Sequence, residues 1–443
     1  MSTMYFSNAR IFQGEKGFVK GSFSVINDRF GEILPERETE RSGRSGLRPG
    51  EEANRRSSHA LSGSGEVGFQ NPDTLPDPGK IDLQGLYVLP GLVDIHTHGN
   101  SGSDFSDGIP EGLRKMGRYL ASNGITSFLP TSMTLPFETL ANAYGTAAAY
   151  ALNRPADGAR ALGIHMEGPY FSEKKKGAQN GAFLKLPDAD EFFALQEACG
   201  HRIRIVDIAP ELPGAELFVR RITPHCRVSL AHTDASYEEA CRAFDAGASH
   251  VTHLFNAMPQ LHHREPGVIG AACDQPNVSA ELICDGLHVH PAVVRLAFRL
   301  FPGRICLISD ALRCCGMDDG IYELGGQQVT LKNGQARLPD GNLAGAASNL
   351  YEDMVNAVRF GIKKEEAILA ATMNPAKAAG VEKEVGSLEP GKKADFIICD
   401  SQWNLRQVYI DGKSILPIAP VGFRVYNEAQ LIRKEHITYD LCR

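Results

Sequence analysis

One tryptophan stands in 443 residues, and aromatic residues make up 8% of the chain, so no aromatic platform for stacking bases is in sight. No stretch approaches the ~18 consecutive apolar residues of a membrane span, so no transmembrane helix is expected. The opening, MSTMYFSNARIFQGEKGF, has no basic segment followed by an apolar one, and no signal peptide is expected. Positive charge is not in excess: 46 Lys and Arg face 53 Asp and Glu, a net charge of −7. That balance argues against nucleic acid or an anionic membrane as the main partner. Ten cysteines are scattered with no CxxC pair, and zinc-finger spacing is absent. Cys314 and Cys315 are adjacent and poorly placed to bond each other. Reduced thiols in a cytoplasmic chain are expected.

Hydrophobic residues at 42% and charged residues at 22% are ordinary globular usage and allow a sizeable core. Residues 3–34 alternate apolar and polar positions (Tyr5, Ile11, Phe18, Phe23, Val25, Ile33) and read as short strands. From Pro35 to Lys80 large apolar residues are few, and Gly, Ser, Arg, Glu and Pro dominate. Such a segment cannot bury enough apolar surface to offset chain entropy, and residues 35–80 read as a disordered, low-complexity insertion. Residues 81–91 read as a return strand.

Apolar runs then recur at Leu92–Ile95, Ile125–Leu129, Ala161–Ile164, Ile203–Ile208, Arg227–Ala231, His250–Thr252, Ser279–Cys284 and Ile305–Ile308. Amphipathic stretches such as EGLRKMGRYLASN, SYEEACRAFDAG and HPAVVRLAFRLF lie between them. Strands alternating with helices imply parallel pairing through right-handed crossovers, and eight runs imply a (β/α)8 TIM-like barrel over 92–380. Two helices, Asn349–Phe360 and Glu365–Met373, follow the eighth run and stop before Pro375. Residues 381–443 turn strand-like again. Paired with residues 1–34, they would form a small β-sandwich domain built from both chain termini.

The residue after each strand carries the functional signal. His96 and His98 follow the first run, Glu167 the third, His232 the fifth, His253 the sixth and Asp310 the eighth. Barrel active sites lie at the C-terminal ends of the strands, so these side chains should converge on one mouth. Four imidazoles and two carboxylates there have the composition of a metal site. His165, two residues before Glu167, leaves its strand on the same face; it is either a ligand itself or, the favoured reading, a residue orienting Glu167. The run Lys174–Lys176 reads as a solvated loop.

The motifs LPGLVDIHTHG, GIHMEGPYF, VTHLFNAMP and LISDA resemble the amidohydrolase superfamily. HMEGPYFSEKKKGAQN, HLFNAMPQLHHREPGVIGAA, ICDGLHVHP and DGNLAGAA resemble its N-acetylglucosamine-6-phosphate deacetylase family. The resemblance runs from about Leu86 to the C-terminal strands and leaves 35–80 outside. It implies metal-dependent hydrolysis of N-acetyl-D-glucosamine 6-phosphate to D-glucosamine 6-phosphate and acetate, in amino-sugar catabolism. The galactosamine epimer is the nearest alternative substrate, and a non-catalytic sugar-phosphate sensor a more distant reading.

By the same resemblance, Glu167, His232 and His253 hold one divalent cation (Zn, Fe(II), Mn or Co). His96 and His98 match members that hold two cations, and Asp310 matches the catalytic aspartate. Asn256, Ala257, Arg264 and His288 fall on positions that hold the sugar phosphate. Ala178, Asp285, Gly286, Leu287, Leu343, Ala344 and Gly345 fall on substrate-lining positions. Gln179 stands where some members have a carbonyl-polarising His. Either its amide donates that hydrogen bond or a second cation polarises the carbonyl. A homodimer is implied, with part of the phosphate grip crossing the interface.

Overall fold

Each apolar run is short because a barrel strand is buried on both faces only between its two loops. The computed structural model describes residues 2–36 and 79–415. Eight strands stand in chain order: Leu92–Thr97, Ile125–Ser132, Ile164–Met166, Ile203–Ile208, Arg227–Leu230, His250–Val251, Ser279–Ile283 and Ile305–Ile308. Each pairs in parallel with the next. The first and last meet through a parallel bridge between Thr97 and Ala311, and the Asp310 N–H donates to the His96 carbonyl at 2.9 Å. Asp94 also ties this seam, accepting from the Ser309 hydroxyl at 2.6 Å.

A helix follows every strand, from Pro110–Ser122 after the first to Leu350–Arg359 after the eighth. Their starts follow local chemistry. Ser236 and Glu239 form a capping box on Tyr237–Ala246, Asp188 caps Ala189–Ala198, and Pro110 and Pro291 occupy the first turn, where a missing N–H is harmless.

Three readings need correction. The third run is displaced. Arg160–Ala161 pairs with the second strand alone, and the barrel strand is Ile164–Met166. Gly163 marks the jog between them: a Cβ there would lie 2.3 Å from Arg204 Cγ and 2.7 Å from the Arg202 carbonyl. Pro375 does not follow a helix end. It lies inside a further helix, Met373–Ala378, which comes after Lys364–Ala371. The third correction is an omission. Four antiparallel strands, Gly320–Leu324, Gln327–Lys332, Gln335–Arg337 and Leu343–Gly345, stand between the eighth barrel strand and its helix. Their inner residues Leu324, Val329, Leu331 and Ala336, with Leu338 just after the third strand, pack on Met133, Leu312 and Cys314.

The two chain ends share one sheet. Thr3–Phe12, Phe18–Ile26, Arg29–Pro35, Lys80–Asp82 and Tyr87–Pro90 join Phe396–Cys399, Leu405–Ile410 and Lys413–Ser414. Tyr87–Pro90 is the junction, parallel to Thr3–Phe12 and antiparallel to Phe396–Cys399. Phe396 packs edge-on to Phe6 and Phe23 at 5.3 Å, although two strands lie between it and Phe23 in the sheet. The sheet therefore curls over its own aromatic core, and an antiparallel bridge joins Arg29, on its edge strand, to Lys393, just ahead of Phe396–Cys399. The insertion expected over 35–80 falls almost wholly outside the described residues, as does 416–443. Among the described residues no helix is long and apolar enough to cross a membrane.

Candidate active site

Five strand ends deliver the side chains, and the backbone bends sharply where they do. His232, His253 and Asp310 have positive φ of 44°, 29° and 48°, and Phe255 and Ala257 beside them have 77° and 52°. Non-glycine residues avoid this region, and such strain collects where a side chain must be aimed. Here it turns three strand ends inward at one mouth.

Glu167 is the centre. Its Oε1 lies 3.0 Å from His232 Nε2, 3.1 Å from His253 Nε2 and 3.6 Å from His96 Nε2. Its Oε2 lies 3.4 Å from His98 Nε2. Asp310 Oδ1 sits 3.3 Å from His98 Nε2 and 3.6 Å from His96 Nε2. Two Nε2 pairs face each other, His232 with His253 at 3.1 Å and His96 with His98 at 3.4 Å.

The far sides of three rings fix what those nitrogens carry. His232 Nδ1 faces the Lys175 carbonyl at 2.9 Å, His98 Nδ1 the Thr131 carbonyl at 3.1 Å, and His96 Nδ1 the Glu281 carboxylate at 2.9 Å. Acceptors on that side call for N–H there, which leaves Nε2 as a lone pair in the neutral ring. Lone pairs crowded around two carboxylates fit a cation between them. Glu167, His232 and His253 form one such group, and His96, His98 and Glu167 another.

Charge follows from this crowding. Burial would raise the Glu167 carboxyl, but hydrogen bonds from His232 and His253 and the charges of His96 and His98 hold it well below the ordinary carboxylate range. Burial likewise opposes Asp310 ionisation, and the His98 hydrogen bond with the charges of His96 and His98 overcomes it. Both are carboxylates at neutral pH. Burial would lower His98 and His253; hydrogen bonds and charge from the carboxylates instead raise both to about 9, Asp310 acting mainly on His98 and Glu167 on His253.

The cluster opens into a cleft of about 270 Å³. Ala178, Gln179, Asn256, Ala257, His288, Leu343, Ala344 and Gly345 all line it beside His98, Glu167, His232, His253 and Asp310. Asp285, Gly286 and Leu287 do not line it. They build the turn behind His288: Asp285 accepts from the backbone N–H groups of Leu287 and His288 and from His288 Nδ1 at 2.7 Å. Arg264 also stays outside. It is exposed on a turn closed by a His262–Glu265 bridge, with Nη1 2.8 Å from His263 Nε2.

Gln179 Nε2 donates to Glu167 Oε2 at 2.6 Å, and its Oε1 accepts from the Thr134 N–H at 2.7 Å. The amide therefore braces Glu167 from the cleft wall. His165 does not orient Glu167. Its two nitrogens face Asp207 Oδ1 and the Ile95 carbonyl, each at 2.9 Å. Acceptors on both sides call for an imidazolium, and Asp207 and Glu281 raise the ring to about 10 against the effect of burial.

The comparisons with known proteins follow the same lines. The amidohydrolase family profile matches residues 220–415. An N-acetylglucosamine-6-phosphate deacetylase of Vibrio furnissii is 36% identical over 354 residues, covering 80% of this chain and 87% of that protein. The chain belongs to the N-acetylglucosamine-6-phosphate deacetylase family of the amidohydrolases. An N-acetylgalactosamine-6-phosphate deacetylase of Escherichia coli O157:H7 is 38% identical over 331 residues, covering 74% of this chain and 87% of that protein. Among solved structures, the Pasteurella multocida N-acetylglucosamine-6-phosphate deacetylase superposes with a TM-score of 0.79 at 29% identity, over 93% of this chain and 99% of that one.

For a deacetylase of this family, sequence reasoning overlooks a buried polar layer below the mouth. Glu281 binds His96 and His250, and Asp207 binds His165 and the Thr252 hydroxyl. The available signal is a carboxylate flanked by apolar residues within a strand, in SAELI and IRIVDI.

Proposed function

We propose that the protein hydrolyses the acetamide of N-acetyl-D-glucosamine 6-phosphate, giving D-glucosamine 6-phosphate and acetate. The observation that carries this reading is the Asp310 carboxylate lining the cleft, 3.3 Å from His98 Nε2 and beside the Glu167 cluster. Glu167, His232 and His253 would hold one divalent cation, and His96 and His98 a second with Glu167. Such a cation supplies Lewis-acid chemistry, lowering the pKa of a water toward about 7 and polarising a carbonyl.

The chain's own groups do the rest. Asp310 accepts the proton of the attacking water and returns it to the nitrogen as the C–N bond breaks, so an amine leaves rather than an amide anion. The His288 imidazole, held by Asp285, and Asn256 with the left-handed backbone at Ala257 face the cleft and suit an anionic phosphate. The exposed Arg264 supports a homodimer in which this turn completes the phosphate grip of the other copy. A sugar phosphate is confined by its charge, and the described cysteines are free; both support a cytoplasmic enzyme.

The galactosamine epimer is a second reading, favoured by the 38% identity to the Escherichia coli enzyme. Acetate release from a panel of N-acetylated hexosamine 6-phosphates, with bound metal measured on the same sample, tests both. Fastest release from the glucosamine substrate is expected. Faster release from the galactosamine epimer reverses the assignment, and no release from either overturns it.

A further inference from the structure

Glu281 is a buried carboxylate that the reaction does not use. It stands on the seventh barrel strand, fully enclosed. Its Oε2 lies 2.9 Å from His96 Nδ1 and accepts the His253 backbone N–H at 3.2 Å. Its Oε1 lies 3.2 Å from His250 Nε2, and His250 Nδ1 meets the Ser279 hydroxyl at 2.6 Å. One carboxylate thus touches a residue from each half of the cation cluster.

The rings differ in how they are held. His98 and His232 are fixed by backbone carbonyls of Thr131 and Lys175, which no side-chain replacement removes. His96 is fixed by the Glu281 side chain alone. A carboxylate only accepts, so it keeps hydrogen on His96 Nδ1 and turns the Nε2 lone pair toward His98, Glu167 and Asp310. A glutamine in its place could present N–H₂ to His96 Nδ1, moving the ring hydrogen to Nε2 and blocking the ligand position.

We propose that Glu281 is a positioning residue that sets the tautomer and aim of His96 and so controls cation occupancy of the His96–His98 half of the centre. This rests on the two-cation reading above. Partners of this kind typically account for 10–100-fold in metal affinity. The Glu167–His232–His253 half should be touched much less, because only the His253 backbone depends on Glu281.

The test is zinc stoichiometry and stepwise affinity, by chelator competition, on the full-length wild type and Glu281→Gln, with melting temperature on the same samples. Wild type is expected to take two zinc ions. The variant should keep the tighter one nearly unchanged and bind the weaker one ~10–100-fold less well. Two ions at wild-type affinity in the variant overturn the proposal and leave the two-cation reading standing. An equal fall in both affinities makes Glu281 merely structural and overturns it as well. A wild type that never exceeds one ion overturns the two-cation reading and this proposal together. If Glu281→Gln does not fold, Glu281→Asp replaces it: the carboxylate then falls short of His96, and the same selective loss of the weaker ion is required.

Discussion

At the mouth of the barrel, the proposed cation would compete with protons for the same imidazole nitrogens. With no cation bound, His98 and His253 titrate at about 9, because the carboxylates opposite them outweigh the effect of burial. Their raised values mean the proton is held below about pH 9 and released above it. A cation needs the bare nitrogen, so binding must release protons and weaken as the solution is acidified. Each proton displaced costs about tenfold in affinity per pH unit below the group's pKa. Metal affinity measured by chelator competition should therefore fall at least ~10-fold between pH 7.5 and 6.5. Equal affinity at both values contradicts the arrangement. The same residues show what sequence reveals. His96, His98, Glu167, His232, His253 and Asp310 are legible because each follows an apolar run at one end of a barrel. Glu281 and Asp207 are not, because a carboxylate within a strand reads as an interruption until its partners from other strands are known.

Among the elements, the four-stranded sheet after the eighth barrel strand reaches the cleft. Its last strand brings Leu343, Ala344 and Gly345 to the cleft, and the Ala346 N–H that follows donates to the Asp310 carbonyl at 2.9 Å. Gly345 has φ of 153°, and a Cβ there would lie 2.9 Å from Leu312 Cδ2 and 3.1 Å from the Asp310 carbonyl. Gly345→Ala must push on the segment that fixes Asp310. Strain of this kind is worth about 1–3 kcal/mol. If it is relieved by moving Asp310, kcat/KM should fall at least about fivefold with bound metal unchanged. Wild-type kcat/KM in this variant would show that the strand does not brace Asp310. The sheet has clear turn signals, Gly325-Gly326, Asn333-Gly334 and Asp340-Gly341, between alternating runs such as QVTLK. It escapes a reading that carries the β/α alternation straight through to the next helix. The third barrel strand is misplaced for a different reason: Ala161–Ile164 is continuously apolar, and only the close approach at Gly163 reveals the jog.

At the scale of the whole molecule, the barrel is legible because its period repeats eight times, and the order of strands follows from parallel crossovers. The terminal sheet is legible in type from residues 3–34, but not in its curl, which depends on Phe396 meeting Phe23 across the fold. Closure of the barrel is what makes the site: it sets Asp310, from the last strand, against His98 from the first and near Glu167 from the third. The central claim is that this carboxylate moves the proton between water and the departing amine. Asp310→Asn keeps the size of the side chain and removes the base. Single-turnover acetate release from N-acetyl-D-glucosamine 6-phosphate, with bound metal measured on the same sample, tests it most directly. Release at least ~100-fold slower, with the cation of Glu167, His232 and His253 retained, is expected. Release above about a tenth of the wild-type rate, at the same metal content, would contradict it.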